Sequence, residues 1–160
     1  MRKPRILICD DNDQIRDFFK RIFERRGYEV LTAETPMTCA FYRDNGNHCP
    51  QHERCTDILI TDYEMPVMTG IDLLELQHRG GCKLTNRNKA ILTGNDDPEI
   101  KKAAEALGCQ LFTKPPLISA LITWLEECQQ RFNLAEPLAS ELYFPAKKRA
   151  FDLQATTANT

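Results

Sequence analysis

The sequence predicts an α/β fold, a doubly wound five-stranded parallel sheet with helices on both faces. Two observations carry this. Short apolar runs of strand length alternate five times with segments whose apolar residues recur at helical spacing, and that alternation implies a parallel sheet. Several of the runs are continuously apolar, the pattern of strands buried on both faces.

The first run, Arg5-Ile6-Leu7-Ile8-Cys9, reads as a strand buried on both faces. Ile15, Phe18, Phe19, Ile22 and Phe23 then recur at helical spacing, and Gly27 follows as a stop. Residues 28–32 (YEVLT) give a second strand, and a short helix from about Thr35 would bury Met37, Ala40 and Phe41. Residues 58–61 (ILIT) make a third strand, followed by a Pro/Gly-punctuated loop and a helix around 71–77. Residues 90–93 (AILT) are a fourth strand, and Ile100, Ala103, Ala104 and Leu107 mark a helix stopped at Gly108. Residues 111–113 form a short fifth strand, after which Leu117, Leu121, Trp124, Leu125 and Cys128 share one face of a last helix.

Two segments break the rhythm. Residues 44–56 (DNGNHCPQHERCT) form a 13-residue connection, long against the usual 2–6. Residues 133–160 read as an extension, with apolar Leu138, Leu142, Tyr143 and Phe144 before a polar end that should fray.

Composition removes several function classes. The chain has 160 residues, 42% hydrophobic and 28% charged, enough for one real core. Twenty-one Lys and Arg against 23 Asp and Glu leave a net charge of −2, with no basic footprint for general nucleic-acid binding. No apolar stretch approaches the roughly 18 residues of a membrane span, and MRKPRILICDD meets charge too early for a signal peptide. The expectation is a cytoplasmic protein without membrane contact, whose seven cysteines stay reduced.

Ligands of such a sheet sit beyond the carboxyl ends of its strands. There the first strand runs into Asp10-Asp11, the third into Asp62, the fourth into Thr93 and the fifth into Lys114. Three carboxylates on one rim repel each other and call for a cation, and hard oxygen ligands suit Mg²⁺. With an ammonium and a hydroxyl added, the site is built to hold a phosphoryl group beside a carboxylate.

The ordered motifs ILICDDN, ILITDYEMPVMTG, AILTGND and LFTKPP resemble the receiver domain of two-component response regulators, the CheY-like family. The resemblance covers 4–132 as the receiver, with 44–56 as an insert. It implies strand order 2-1-3-4-5 and Asp62 as phosphoacceptor, supplied by a sensor histidine kinase, a histidine phosphotransfer protein or a small phosphodonor. It also implies Mg²⁺ on Asp11, Asp62 and the Glu64 backbone carbonyl, with Asp10 holding a metal-bound water. Thr93 would bond a phosphoryl oxygen, Lys114 would pair with the acyl phosphate, and the Lys114–Pro115 peptide would be cis. The implied protein is a signalling module, not an enzyme beyond its own phosphorylation and dephosphorylation. It would switch binding of a downstream protein around the helix at 100–107 and the fifth strand. The extension is too short for a DNA-binding output domain, and whether it forms a homodimer is open. The basic triplet Lys147-Lys148-Arg149 reads as solvated surface.

Taken singly, each residue has a plainer reading: Asp10 and Asp11 as helix-capping acids, Thr93 as a turn residue, Lys114 as a loop lysine. Their coincidence in order favours the site. A second resemblance is carried by Asp11-Asn12-Asp13-Gln14-Ile15, which is similar to the nucleophile motif of haloacid-dehalogenase-type phosphatases. That family needs a later acidic pair, whereas only helical Glu126-Glu127 follows, and Asp62 would have no role.

Two features depart from the receiver pattern. The aromatic usually found three residues before the lysine is Leu111, with Phe112 one place later, so either the register slips or the aromatic switch is missing. The insert also carries His48, Cys49, His52 and Cys55, and Cys82 lies before the fourth strand. Loops entering neighbouring strands meet at the rim opposite the acids, so Cys49, Cys55 and Cys82 with His52 could form a zinc site, a redox pair or plain surface thiols. A metal- or redox-sensing adaptor is the corresponding alternative function. Cys9, Cys39, Cys109 and Cys128 read as core filler.

Overall fold

The strands in chain order are β1 (Arg5–Cys9), β2 (Glu29–Ala33), β3 (Ile58–Asp62), β4 (Lys89–Thr93) and β5 (Gln110–Thr113). In the computed structural model, which describes residues 1–36, 39 and 48–139, they form one sheet in the order β2-β1-β3-β4-β5. Every pairing is parallel. Among the described residues the helices are α1 (Asp13–Glu24), α2 (Gly70–Arg79), α3 (Pro98–Leu107) and α4 (Ile118–Gln129). Most of the helix expected from Thr35, the start of the insert (44–47), and the basic triplet with the end of the extension lie outside the described residues.

The strand sequences explain the layering. All five residues of β1, β3 and β4 are buried, and alternate side chains point to opposite faces. Ile6, Ile8, Ile58, Ile60 and Leu92 pack with Phe19 and Phe23 of α1 and Leu121, Trp124 and Leu125 of α4. Leu7, Cys9, Leu59 and Ile91 pack with Leu73 and Leu74 of α2 and Ile100 and Ala104 of α3. Hence each continuous apolar run supplies two cores. Helix ends follow their local chemistry: Asn12 caps α1 by accepting from the Gln14 and Ile15 amides, and Thr69 and Asp72 form a reciprocal capping box on α2. Gly108 ends α3 at φ 79°, a left-handed conformation that glycine adopts without penalty.

The strand pairing brings the functional ends together. Cys9 pairs with Thr61, placing Asp10 beside Asp62, and Thr93 pairs with Thr113, placing Lys114 next to the end of β4. The strand order reverses between β1 and β3, the switch point where such sheets open a crevice.

Register also settles the aromatic question. Leu111 pairs with Ile91 and Phe112 with Leu92, so no slip occurs. Leu111 lies on the face of Ile91 and Thr93, while Phe112 lies on the other face, edge-on to Trp124 at 5.9 Å between ring centroids. The usual aromatic position is occupied by leucine.

Candidate functional site

Asp10, Asp11 and Asp62 gather at the carboxyl rim, each offering an oxygen within 4.8 Å of the others. Asp10 is 1% exposed and Asp62 is 7% exposed, whereas Asp11 faces solvent. Lys114 reaches in from the end of β5, its Nζ 2.8 Å from Asp62 Oδ1 and 3.5 Å from Asp10 Oδ2. Its backbone is tied to β4 by an N–H donated to the Thr93 carbonyl at 2.8 Å, and the Lys114–Pro115 peptide is cis. Thr93 is buried, and its Oγ1 accepts the Asn95 amide at 3.0 Å. Glu64 lies two residues beyond Asp62 in the exposed loop after β3.

One lysine does not balance three carboxylates. Burial pushes the Asp10 carboxyl above its ordinary range and the Asp62 charge adds to this, against the Asn12 amide and Lys114. Burial pulls the Lys114 ammonium down, but its hydrogen bond to Asp62 and the charges of Asp10 and Asp62 outweigh it and leave it raised. The rim therefore holds excess negative charge at short range. Its donor set, all carboxylate oxygen, fits a hard divalent cation.

Two supports escaped sequence reasoning. Arg16 of α1 is buried and donates to the Asp10 carbonyl as well as to Asp13, fixing the strand end that presents the acids. An arginine on the polar side of a helical pattern gives no such signal. Gly70 opens α2 against β3: a Cβ there would meet the Asp62 carbonyl at 2.7 Å. The only cue was the glycine in MPVMTG.

The phosphatase-like alternative does not assemble. Asp13 is the first residue of α1, exposed and paired with Arg16, and Glu126 and Glu127 are exposed on α4. Of the cysteines, Cys9 and Cys128 are buried core residues, and Cys109 packs partly buried beneath α3. Cys49, Cys55 and Cys82 line one cavity at the opposite rim, while His52 is exposed and outside it. Cys39, expected as core filler, lines that cavity in its place.

Among the described residues no helix is long and apolar enough to cross a membrane. A family model described as "Response regulator receiver domain" matches residues 6–126. A two-component response regulator of Arabidopsis thaliana is 31% identical over 117 residues, covering 70% of this chain and 75% of that protein. A sensory/regulatory protein of Xanthomonas campestris is 27% identical over 126 residues, 75% of this chain, and the chain spans only 16% of that protein. The structure of a Francisella response regulator receiver domain superposes with a TM-score of 0.64 at 28% identity, covering 80% of this chain and 98% of that one. With the sheet order, the acid triad and the lysine in place, the chain belongs to the response regulator receiver domain family, the phosphoacceptor modules of phosphorelay signalling.

Proposed function

We propose that Asp62 is the phosphoacceptor of this receiver. The observation that carries the reading is the 2.8 Å contact of Lys114 Nζ with Asp62 Oδ1 inside a triad of carboxylates. An oxygen of Asp62 would attack the phosphorus of a phosphohistidine or small phosphodonor; the P–N or P–O bond to the donor breaks, and an aspartyl phosphate forms. Such transfer asks mainly for in-line positioning and charge neutralisation. Lys114 already spans Asp62 and Asp10 and would neutralise a phosphoryl oxygen. Thr93 sits on the adjacent strand end, and its hydroxyl, which donates to the Asn95 carbonyl over a long 3.4 Å, would turn to such an oxygen. Asp10, Asp11 and Asp62, with the Glu64 carbonyl, would hold Mg²⁺, which when bound offsets the charge of carboxylate and phosphoryl together.

The donor would be a sensor histidine kinase or a histidine phosphotransfer protein. Phosphorylation would shift a two-state equilibrium and alter the surface of α3 and β5 offered to a downstream protein. With Leu111 in the aromatic position, that output would run through aliphatic packing instead of an aromatic rotamer.

Incubation with Mg²⁺ and acetyl phosphate tests this. Intact mass should rise by one phosphoryl group, the rise should vanish with chelator, and Asp62→Asn should abolish it. Folded wild-type protein that takes phosphate from no donor, or Asp62→Asn protein that still does, would sink the reading.

A further inference from the structure

We propose that Cys39, Cys49, Cys55 and Cys82 form a tetrathiolate site for one Zn²⁺ ion at the rim opposite Asp62. All four cysteines line a single cavity of about 30 Å³, room for one ion or water. All are thiols. The backbones of two are pinned to the end of α2, Cys49 donating to the Gly80 carbonyl at 2.7 Å and Cys82 to the Gln77 carbonyl at 2.9 Å. Cys55 is held by Arg5, whose Nη1 donates to the Cys55 carbonyl at 3.0 Å.

Three polar groups around the cavity ask for negative charge inside it. Lys89, at the start of β4, is 0% exposed. Its Nζ donates to the neutral Gln77 Oε1 at 2.9 Å, and no carboxylate pairs with it among the described residues. A buried ammonium whose hydrogen bond goes to a neutral amide is costly unless an anion lies near. The Gln77 amide, oriented by that bond, turns its Nε2 to Cys39 Sγ at 3.7 Å. Gln51 Nε2, also on the cavity, is buried without a hydrogen-bond partner. Neutral thiols are weak acceptors and satisfy none of these donors well. Four thiolates around Zn²⁺, their protons released to solvent, carry a net charge of −2; they offset Lys89 and accept from both amides, as the outer shell of metal sites generally does.

Among the described residues only the acid triad has its ligand atoms within 4.8 Å of one another, so the four sulfurs must draw inward to bind the ion. Zn²⁺ would staple Cys39, Cys49 and Cys55 to the α2–β4 connection that carries Cys82. Because the cavity lies across the sheet from Asp62, Zn²⁺ binding and phosphorylation should fail or succeed separately.

Co²⁺ titration of the reduced, metal-free full chain tests the site, since tetrahedral thiolate–cobalt complexes absorb intensely in the visible. Saturation at one equivalent, with displacement by Zn²⁺, is expected. Cys39→Ser or Cys55→Ser should weaken binding at least tenfold, and His52→Ala and Cys109→Ser should leave it unchanged. Lys89→Met should lower Zn²⁺ affinity about 10- to 100-fold, the range for losing an outer-shell partner. Absence of a one-equivalent cobalt spectrum in folded wild type overturns the proposal without reliance on any variant's folding. Survival of the spectrum in Cys39→Ser with loss in His52→Ala overturns the assignment of the fourth ligand. Metal-free protein that carries a disulfide between these cysteines overturns it as well.

Discussion

Strand β3 is bracketed by two buried aspartates with opposite surroundings. Asp57, just before the strand, accepts from Arg2 at 2.5 and 3.0 Å, from Arg54 at 2.9 and 3.1 Å, and from the Arg5 amide at 2.8 Å. Asp62, at its other end, shares its rim with Asp10 and Asp11 and has Lys114 as its cationic neighbour. Burial would raise the Asp57 carboxyl, but the bonds from Arg2, the Arg5 amide and Arg54 overcome it and hold the acid below its ordinary value. Asp10, the near neighbour of Asp62, is pushed the other way. The same residue type is a structural clamp where cations surround it and the proposed phosphoacceptor where carboxylates do. The proposed chemistry would use excess charge at one rim, which costs stability.

The largest expected effect separates the two acids. Asp62→Asn should lose phosphoryl uptake entirely, while Asp57→Asn, assayed where it remains folded, should keep it. If Asp57→Asn abolished uptake in folded protein, the division of labour would be wrong.

Stability should show the converse. Removing the Asp57 charge leaves two partly exposed arginines facing a neutral side chain at a buried position, and breaking such a group costs up to about 3–5 kcal/mol, less as solvent reaches the arginines. Urea unfolding of Asp57→Asn checks this, and a loss under about 1 kcal/mol would mean that solvent already screens the cluster. The clamp also reaches the extension, since Arg54 bonds Glu136 and accepts the Ala139 amide.

Gly70→Ala should cost about 1–3 kcal/mol, because the new methyl drives into the Asp62 carbonyl and β3 or α2 must shift. Phosphorylation should slow along with it, as the acceptor is displaced. A variant with wild-type stability and rate would show that the interface yields freely.

The smallest effect is the pH dependence. The folded Asp57 binds its proton more weakly than the unfolded chain does. Its contribution is therefore fully present above the unfolded value of about 3.9 and is lost as pH falls through the lower folded value. Asp10 is the reverse. Its raised folded value means that protonation favours the folded state, so stability from this group declines as pH rises from about 3.9 through the folded value. Asp10→Asn should thus stabilise the Mg²⁺-free protein at neutral pH, on the order of 1 kcal/mol for a relieved like-charge contact, while weakening Mg²⁺ binding. Destabilisation of the Mg²⁺-free protein by Asp10→Asn at neutral pH would break the contrast.

Much of the carboxyl rim was legible in the sequence. A parallel sheet of continuously apolar strands leaves little choice about where Asp10, Asp62, Thr93 and Lys114 go, because each directly follows or ends such a run. Leu111 was legible as a departure, though only the pairing with Ile91 shows that Phe112 turns to the far face. Arg16 and Gly70 were not, since their roles depend on which backbone passes within a few ångströms of them.

At the opposite rim the sequence gathered Cys49, Cys55 and Cys82, which line one cavity, but the rest depended on tertiary structure. Asp57 lies 55 residues from Arg2, and Lys89 and Gln77 meet across a loop with no periodicity to read. Cys39, counted with the core by its place in the sequence, stands with Cys49, Cys55 and Cys82, and the exposed His52 does not. Sequence by itself determined the residues that periodic elements carry to a shared edge, because hydrophobic period dictates strand, face and direction together. Strand adjacency also said which loops meet, but only the tertiary structure decided which of their side chains face one another, because those partners are chosen by packing and charge across the whole chain.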